Sequence, residues 1–186
     1  MMIIGLKMEN IFAKCLLLTI LYFFAIPAHL SGAQLVNIVI RNSSNELMID
    51  IKLKDVFTEE LKAALSNGIP IDIAFSVSLF EVHNFWFDEK IISKTITHQV
   101  RFDTLKKVYK IQRSWQNQGF IADKNSIAAQ RIMSEINGLK VVPLTRLEKG
   151  TQYQLRIKSE LQDRSYPFTG TPWEFETDWY TINFIY

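Results

Sequence analysis

Apolar and polar residues alternate along much of the chain, which is the pattern of half-buried β-strands. The first two alternating runs have as their apolar faces Val36, Ile38 and Ile40, and then Leu47, Ile49, Ile51 and Leu53. The turn-forming residues Asn42–Asn45 separate the two runs. The pattern therefore predicts a β-hairpin with one core face.

The next alternating run changes parity near its end. Its inward face is formed by Ile71, Ile73, Phe75, Val77 and Leu79. Phe80 and Val82 continue on the opposite parity, so we predict a β-bulge or a twist near Leu79 and Phe80. The strand that returns has as its inward face Ile92, Ile96, Val100 and Phe102. A weaker strand around Tyr109 and Ile111 follows it.

Two stretches repeat apolar residues with helical spacing instead. Thr58–Gly68 begins with an N-cap candidate and ends with a glycine, and its apolar stripe is Leu61, Ala64 and Leu65. A second helix is predicted from about Ser126 to Asn137, with Gly138 as its stop. Its stripe is Ala128, Ala129, Ile132, Met133 and Ile136. Antiparallel strands with two short helices favour a mainly β protein, a β-sandwich.

A short motif in the C-terminal half indicates the kind of sandwich. Leu147, Gly150 and Tyr153 follow the spacing Leu-x-x-Gly-x-x-Tyr. In immunoglobulin-like sandwiches such a tyrosine corner opens a late strand, and the Tyr hydroxyl reaches back to the upstream backbone. The alternative is a polar turn before an ordinary amphipathic strand. The motif favours an immunoglobulin-like antiparallel β-sandwich, and it does not indicate an activity.

The N-terminal segment resembles a secretory leader. Lys7 and Lys14 precede the apolar residues 15–26, which end at Pro27, and the small residues Ser31–Ala33 follow. This is the layout of a signal peptide, and the apolar run is shorter than the roughly 20 residues that span a membrane. We therefore predict a signal peptide at residues 1–33 and a single domain at residues 34–186. An uncleaved N-terminal membrane anchor is the alternative.

The expected mature domain is almost neutral. Removing Lys7, Lys14 and Glu9 reduces the 21 basic and 19 acidic residues to 19 and 18. Such a balance supplies no positive field for nucleic acid or for an anionic membrane. The single cysteine, Cys15, lies in the predicted leader, so the domain must be stabilised by apolar burial and not by disulfides.

Side chains with catalytic or metal-binding chemistry are sparse. In the expected mature domain the only histidines are His83 and His98, which lie on the two arms of one predicted hairpin. If the hairpin turns near Phe87, they stand roughly 23 Å apart, too far to share a metal. We interpret both as strand-surface residues. No Gly-x-Ser-x-Gly elbow and no glycine-rich phosphate loop is present, and we expect no cofactor.

The most suggestive acidic cluster is Glu174, Glu176 and Asp178. Alternate residues of an extended chain stand about 6 to 7 Å apart on one face, within the range that glycoside hydrolases use for their two carboxylates. Three carboxylates are also potential calcium ligands. Acidic residues near a sheet edge equally prevent edge-to-edge association, and we interpret the cluster as a solvated face.

Three consecutive aromatic residues lie at the predicted hairpin tip, Phe85, Trp86 and Phe87. They cannot all face one core, so at least one should be exposed or should pack beneath a neighbouring loop. Tryptophan is enriched in binding hot spots, which makes these three the candidate binding residues. In the alternative interpretation, Trp86 folds back and caps the sandwich.

Five runs in a fixed order resemble a known family. They are Lys54–Glu60, Gly68–Pro70, Trp86–Asp88, Leu139–Gly150 and Phe175–Ile182. Together they resemble the bacterial domain of unknown function 4390 family over nearly all of the expected mature chain. The resemblance implies an exported protein, here of the periplasm, that is often encoded near a membrane sensor kinase. It implies no known activity and no catalytic residues.

These observations predict an exported, single-domain protein that acts by binding, as a partner of an envelope or membrane protein. The alternative is an envelope glycan hydrolase that uses Glu174, Glu176 and Asp178, which would require those acids to line a cleft. A carrier of apolar ligands would instead require an internal cavity.

Overall fold

The computed structural model describes residues 32–43, 45–116, 119–162 and 175–186. Their strands are β1 (Gln34–Ser43), β2 (Glu46–Lys54), β3 (Ile71–Glu81), β4 (Glu89–Asp103), β5 (Val108–Arg113), β6 (Ile121–Asp123), β7 (Glu135–Pro143), β8 (Gln152–Gln162) and β9 (Tyr180–Ile185). Their helices are α1 (Glu59–Ser66) and α2 (Ser126–Ser134), and a short 3-10 helix spans Leu144–Arg146. The predicted signal peptide lies outside the described residues except for its last two.

Across the described ranges, no helix is long and apolar enough to cross a membrane.

The strands form two antiparallel sheets arranged as a sandwich. One sheet has three strands in the order β1-β2-β7, and the other has six in the order β6-β5-β4-β3-β8-β9. Every strand pairing is antiparallel. Buried side chains from both sheets, among them Ile49 of β2 and Phe75 of β3, belong to one hydrophobic cluster. The prediction of a mainly β sandwich with two short helices is therefore confirmed.

The alternating runs of β2 and β3 lie where their parity places them. The first run does so only in part: β1 shifts register between Val36 and Val39, so Val36 lies opposite the exposed Lys52, and Leu35 packs on the core in its place. The inward residues of β2 are all buried, and these are Leu47, Ile49, Ile51 and Leu53. The pairing of β3 with β4 shifts register between Leu79 and Phe80, because Leu79 lies opposite Ile92 and Phe80 lies opposite Lys90. The extra residue, Ile91, is on β4. The predicted bulge at Leu79 and Phe80 is thus confirmed.

Helix α1 also follows the prediction. The Thr58 hydroxyl accepts a hydrogen bond from the N–H of Leu61 at 3.3 Å, which caps the first turn. The predicted apolar stripe is buried: Leu61, Ala64 and Leu65. Gly68 has a φ of +84° beyond the last turn, a conformation that glycine adopts without steric cost. The helix packs against β4 as it connects the two sheets.

The second predicted helix is too long. Helix α2 ends at Ser134, and Ile136 is a buried residue of β7 that lies opposite Ile51 of β2. Gly138 is no helix stop, since it has a φ of +75° inside β7 and its N–H donates to the Asp50 carboxylate at 2.6 Å. Pairing with β2 satisfies the backbone groups of β7 that point towards β2, and this tertiary contact overrides the local helical pattern.

Candidate functional site: the aromatic hairpin tip

The aromatic tip, defined as Phe85, Trp86 and Phe87, lies in the connection between β3 and β4. Phe80, near the end of β3, forms the base of this connection. The Arg156 guanidinium of β8 lies over the Phe80 ring at 4.2 Å from its centroid, and the Lys90 ammonium lies 5.6 Å from it. Such cation–π contacts contribute about 0.5 to 1 kcal/mol at exposed sites. They tie the two arms of the hairpin to the neighbouring strand.

A salt bridge holds the end of the connection at the same place. The Asp88 carboxylate lies 3.2 Å from the Arg156 guanidinium, and both side chains are about one-third exposed. The Arg156 Nε–H also donates to the Gln154 side-chain oxygen. Arg156 therefore contacts an aromatic ring, a carboxylate and an amide at once, which fixes the base of the hairpin against β8.

The tip itself is exposed to solvent. The exposed fractions of Phe85, Trp86 and Phe87 are 90, 76 and 97%. The interpretation in which Trp86 folds back to cap the core is therefore wrong. Trp86 is exposed because of the packing beneath the hairpin. There the fully buried Tyr153 lies opposite Glu81 of β3 in the sheet. The ring of Phe184 packs on Tyr153 at a centroid distance of 5.9 Å, so this end of the core is already filled.

The motif residues of the predicted corner surround Tyr153. The Tyr153 hydroxyl accepts a hydrogen bond from the backbone N–H of Glu148, five residues upstream, at 2.9 Å. Gly150 has a φ of +82° in the intervening turn. Leu147 is buried beside the core. The chain from Leu147 to Tyr153 is thus closed by a side-chain to backbone hydrogen bond.

His98 differs from its predicted position. The sequence predicts a strand-surface residue, but His98 is fully buried and lies opposite Ile73. Its Nδ1–H donates to the carbonyl of Met133 at 2.9 Å, and its Nε2 accepts from the Trp115 indole N–H at 3.0 Å. The missed signal was parity, because His98 has the same parity along β4 as the buried residues Ile96 and Val100.

Burial determines the protonation state of His98. The pKa of His98 is lowered from 6.5 to about 4, mainly by desolvation and to a lesser extent by the charge of Arg113, whereas the hydrogen bond to the Met133 carbonyl acts in the opposite direction. A buried imidazole favours the neutral form because its charged form loses hydration. With both nitrogens hydrogen-bonded inside the core, His98 joins β4 to the end of α2. His83 is partly exposed, with Nε2 at 3.8 Å from the Glu81 carboxylate.

Within the described part of the chain, the acidic residues do not come together to form one site. Glu174 lies outside the described residues. Glu176 and Asp178 are exposed on either side of the buried Thr177, and the Glu176 carboxylate forms an ion pair with the Lys158 ammonium. Among the residues described, no group of three or more His, Cys, Asp or Glu side chains is placed to hold a metal ion.

Among the described residues, two clefts border the six-stranded sheet, and one of them also borders β7 of the other sheet. One, of about 830 Å³, is lined in part by Gly68, Leu105 and Phe120, and it lies at the end of β3 and β4 opposite to the aromatic tip. The other, of about 530 Å³, has Trp115 and Leu139 among its lining residues. Both volumes fall in the range of small-molecule sites. Glu176 and Asp178 line neither cleft.

The fold and the tip define a small antiparallel β-sandwich protein that exposes an aromatic hairpin. The family model described as "Domain of unknown function (DUF4390)" matches residues 31–183, and the chain belongs to this family. The resemblance drawn from the five sequence runs is therefore confirmed. No curated protein matches the chain, and no solved structure matches it either.

Proposed function

We propose that this protein is an exported, non-catalytic binding protein of the bacterial envelope, and that the aromatic tip is its recognition surface. The observation that carries the proposal is the exposure of Phe85, Trp86 and Phe87, each at least three-quarters accessible to solvent. Contiguous exposed apolar surface marks interaction sites in soluble proteins. Aromatic side chains dominate the energy of such contacts.

The anchored base supports this proposal. Arg156 holds Phe80 and Asp88 in place, so the position of the tip is set before a partner arrives. Binding then loses less conformational entropy than it would with a loop that has to order on contact. An aromatic side chain adds to this advantage because only two side-chain torsions become fixed.

The charges around the tip favour a protein pocket as the partner and not an anionic lipid surface. Lys90 and Arg156 are opposed by Asp88 and Glu89, so the base of the hairpin carries no excess of positive charge. Anionic lipid headgroups attract clusters of basic residues. An apolar pocket on an envelope or membrane protein suits three exposed aromatic rings with a neutral surround.

The strand order supports the immunoglobulin-like part of the proposal. In chain order, β1, β2 and β7 correspond to strands A, B and E, whereas β9-β8-β3-β4-β5 correspond to G-F-C-C′-C″ of a variable-type domain. The Tyr153 hydrogen bond then lies at the E–F corner, and the aromatic tip becomes the C–C′ connection. The departure is β6, which pairs with β5.

Export is supported by the basic, apolar and small-residue segments of the N-terminal 33 residues. We expect protein recovered from the periplasm to begin at Gln34. Intact-mass measurement tests this expectation, and retention of residues 1–33 in a membrane fraction would replace the signal peptide with an anchor.

Recognition by the tip can be tested with two tryptophan variants. Trp86→Ala removes the central ring of the tip, and the matched control Trp179→Ala removes another exposed indole, 52% accessible, that lies beside Lys158. A photo-crosslinking amino acid in place of Phe87 identifies the bound envelope protein. We expect Trp86→Ala to reduce recovery of that protein by roughly tenfold or more, as hot-spot truncations do.

The control should bind like the wild type. Equal recovery by Trp86→Ala and the wild type would place recognition elsewhere on the molecule. Crosslinks to lipid alone, with no protein adduct, would contradict the proposed protein partner.

A further inference from the structure

The two sheets have four edge strands, and three of them carry features that block pairing with another chain. β1 shifts register between Val36 and Val39, and Asn37 in the shift has a positive φ. β7 contains Gly138 in the left-handed region and ends at Pro143. β6 has only three residues. Bulges, prolines and short length are the usual means by which sheet edges avoid association.

The fourth edge, β9, carries none of these features. The seven residues from Tyr180 to Tyr186 include no charged residue, no proline and no glycine. The pairing of β9 with β8 is regular over six residues. Tyr180 and Ile185 are 42 and 74% exposed. An uncharged, apolar and regular edge is a template for pairing with another strand.

The hydrogen-bonding groups on the outer side of β9 can be assigned. The N–H of Tyr186 donates to the carbonyl of Thr151 at 3.1 Å, and the carbonyl of Tyr186 accepts from Gly150 at 2.6 Å. Alternate residues of an antiparallel strand bond to the same neighbour. The backbone groups of Thr181, Asn183 and Ile185 therefore point away from β8, where no strand lies among the described residues.

We propose that two copies of this protein associate through antiparallel pairing of β9 across a twofold axis at Asn183. Thr181 then lies opposite the partner subunit's Ile185, and Asn183 opposite the partner subunit's Asn183. The backbone groups of Thr181, Asn183 and Ile185, which point away from β8, then all form hydrogen bonds with the partner strand. The two six-stranded sheets become one continuous twelve-stranded sheet.

The side chains of β9 match this register. On the inward face, Ile182 lies opposite the partner subunit's Phe184, and Tyr180 opposite the partner subunit's Tyr186. Apolar side chains thus meet apolar side chains, and no charge meets a like charge. A one-residue slip would place each inward side chain opposite an outward one. The interface is isologous, so it closes as a dimer, and the blocked edges prevent further growth.

Self-association is measured by sedimentation over a concentration series. The full chain is expressed, and the protein is used as it is purified from the cells, after any processing there. Asn183→Lys places two like charges at the axis, and we expect it to weaken the dimer by at least tenfold. The matched control is Asn137→Lys, the same substitution at an exposed position of β7, which should dimerise like the wild type. Mixing Asn183→Lys with Asn183→Glu should restore a dimer through opposite charges.

Disulfide trapping tests the position of the axis. Opposed residues of a hydrogen-bonded antiparallel pair have Cα atoms about 5.5 Å apart, within the range of about 4.4 to 6.8 Å that a disulfide spans. Asn183→Cys should therefore crosslink on oxidation. Ile185→Cys should not, because its two copies are separated by four residues, or about 13 Å. The wild-type chain, whose one cysteine is Cys15, serves as the blank.

A wild-type protein that stays monomeric up to about 1 mM, far above the Kd of an ordinary specific interface, would overturn the proposal. Equal crosslinking of the two cysteine variants would also overturn it. Asn183 lies on an exposed edge, so its substitution should not prevent folding. Melting curves check that each variant is folded.

Discussion

Trp115 and Trp86 lie near opposite ends of β4 and have opposite environments. Trp115 is partly buried, and its indole N–H donates to His98, which is itself bonded to the backbone of α2. Trp86 is 76% exposed at the other end of the hairpin. One aromatic completes a polar network in the interior, and the other leaves its apolar surface uncovered.

The difference separates the part of the molecule that stabilises the fold from the part available for recognition. A buried polar group that loses its partner costs about 1 to 3 kcal/mol, so the His98 network is sensitive to any change. Exposed aromatic side chains contribute little to folding and can vary without loss of the sandwich. Changes in the two regions should therefore have effects on stability that differ several-fold.

Acidification should give the largest effect. The folded pKa of His98, about 4, lies below the unfolded value of 6.5, so the unfolded chain binds more protons between these two values. The free energy of unfolding that comes from His98 is fully present above pH 6.5 and falls as the pH is lowered towards 4. A shift of this size corresponds to about 3 kcal/mol. Urea denaturation at a series of pH values measures it.

Histidine variants identify the group responsible. His98→Gln should be less stable at pH 7 and should lack most of the decline between pH 6.5 and 4. His83→Gln removes the partly exposed histidine and should keep the decline. The Asp103 carboxylate titrates below this window, since a backbone N–H and the Lys110 ammonium lower its pKa to about 2. The same decline in His98→Gln as in the wild type would contradict the assignment.

A smaller effect is expected when the Tyr153 hydroxyl is removed. Tyr153→Phe leaves the ring in the core and deletes the acceptor for the Glu148 N–H. Glu148 is exposed and its hydrogen bond to Tyr153 is only partly buried, so we expect a loss of about 1 kcal/mol. The comparison variant is Tyr180→Phe on the exposed edge strand, which should leave the midpoint unchanged. Equal midpoints for Tyr153→Phe and the wild type would make the hydrogen bond irrelevant to stability.

Features set by neighbouring residues in the chain could be predicted from the sequence. Helix α1 has its cap, its stripe and its terminal glycine within eleven residues, Thr58–Gly68, and all three lie where the pattern predicts. The β1–β2 hairpin and the bulge between Leu79 and Phe80 likewise depend on local alternation. Such features need no knowledge of the distant chain.

Features set by distant partners could not be predicted in this way. The parity of His98 with Ile96 and Val100 indicates a buried side chain, but the two partners that satisfy its nitrogens lie 17 and 35 residues away, and no local pattern identifies them. The early end of α2 depends on pairing with β2, far upstream in the chain. The position of the aromatic tip was apparent from the hairpin, whereas its exposure depends on Tyr153 and Phe184 filling the core beneath it.

The smallest effect on stability is expected at the tip. Trp86→Ala removes a ring that is three-quarters exposed, so the free energy of unfolding should change by less than about 0.5 kcal/mol. Truncating a core aromatic costs about 3 to 5 kcal/mol, and Phe75→Ala, at a fully buried ring of β3, provides that comparison in the same protein.

Urea denaturation of the two variants shows whether Trp86 behaves as an exposed ring or as a core ring. A loss near that of Phe75→Ala would mean that the indole packs into the core in solution. A near-zero loss, combined with weaker recovery of the envelope partner, separates recognition from folding at a single residue. That combination requires the tip to be uncovered in the free protein and covered in the complex, because only then does the indole contribute to binding without contributing to the fold.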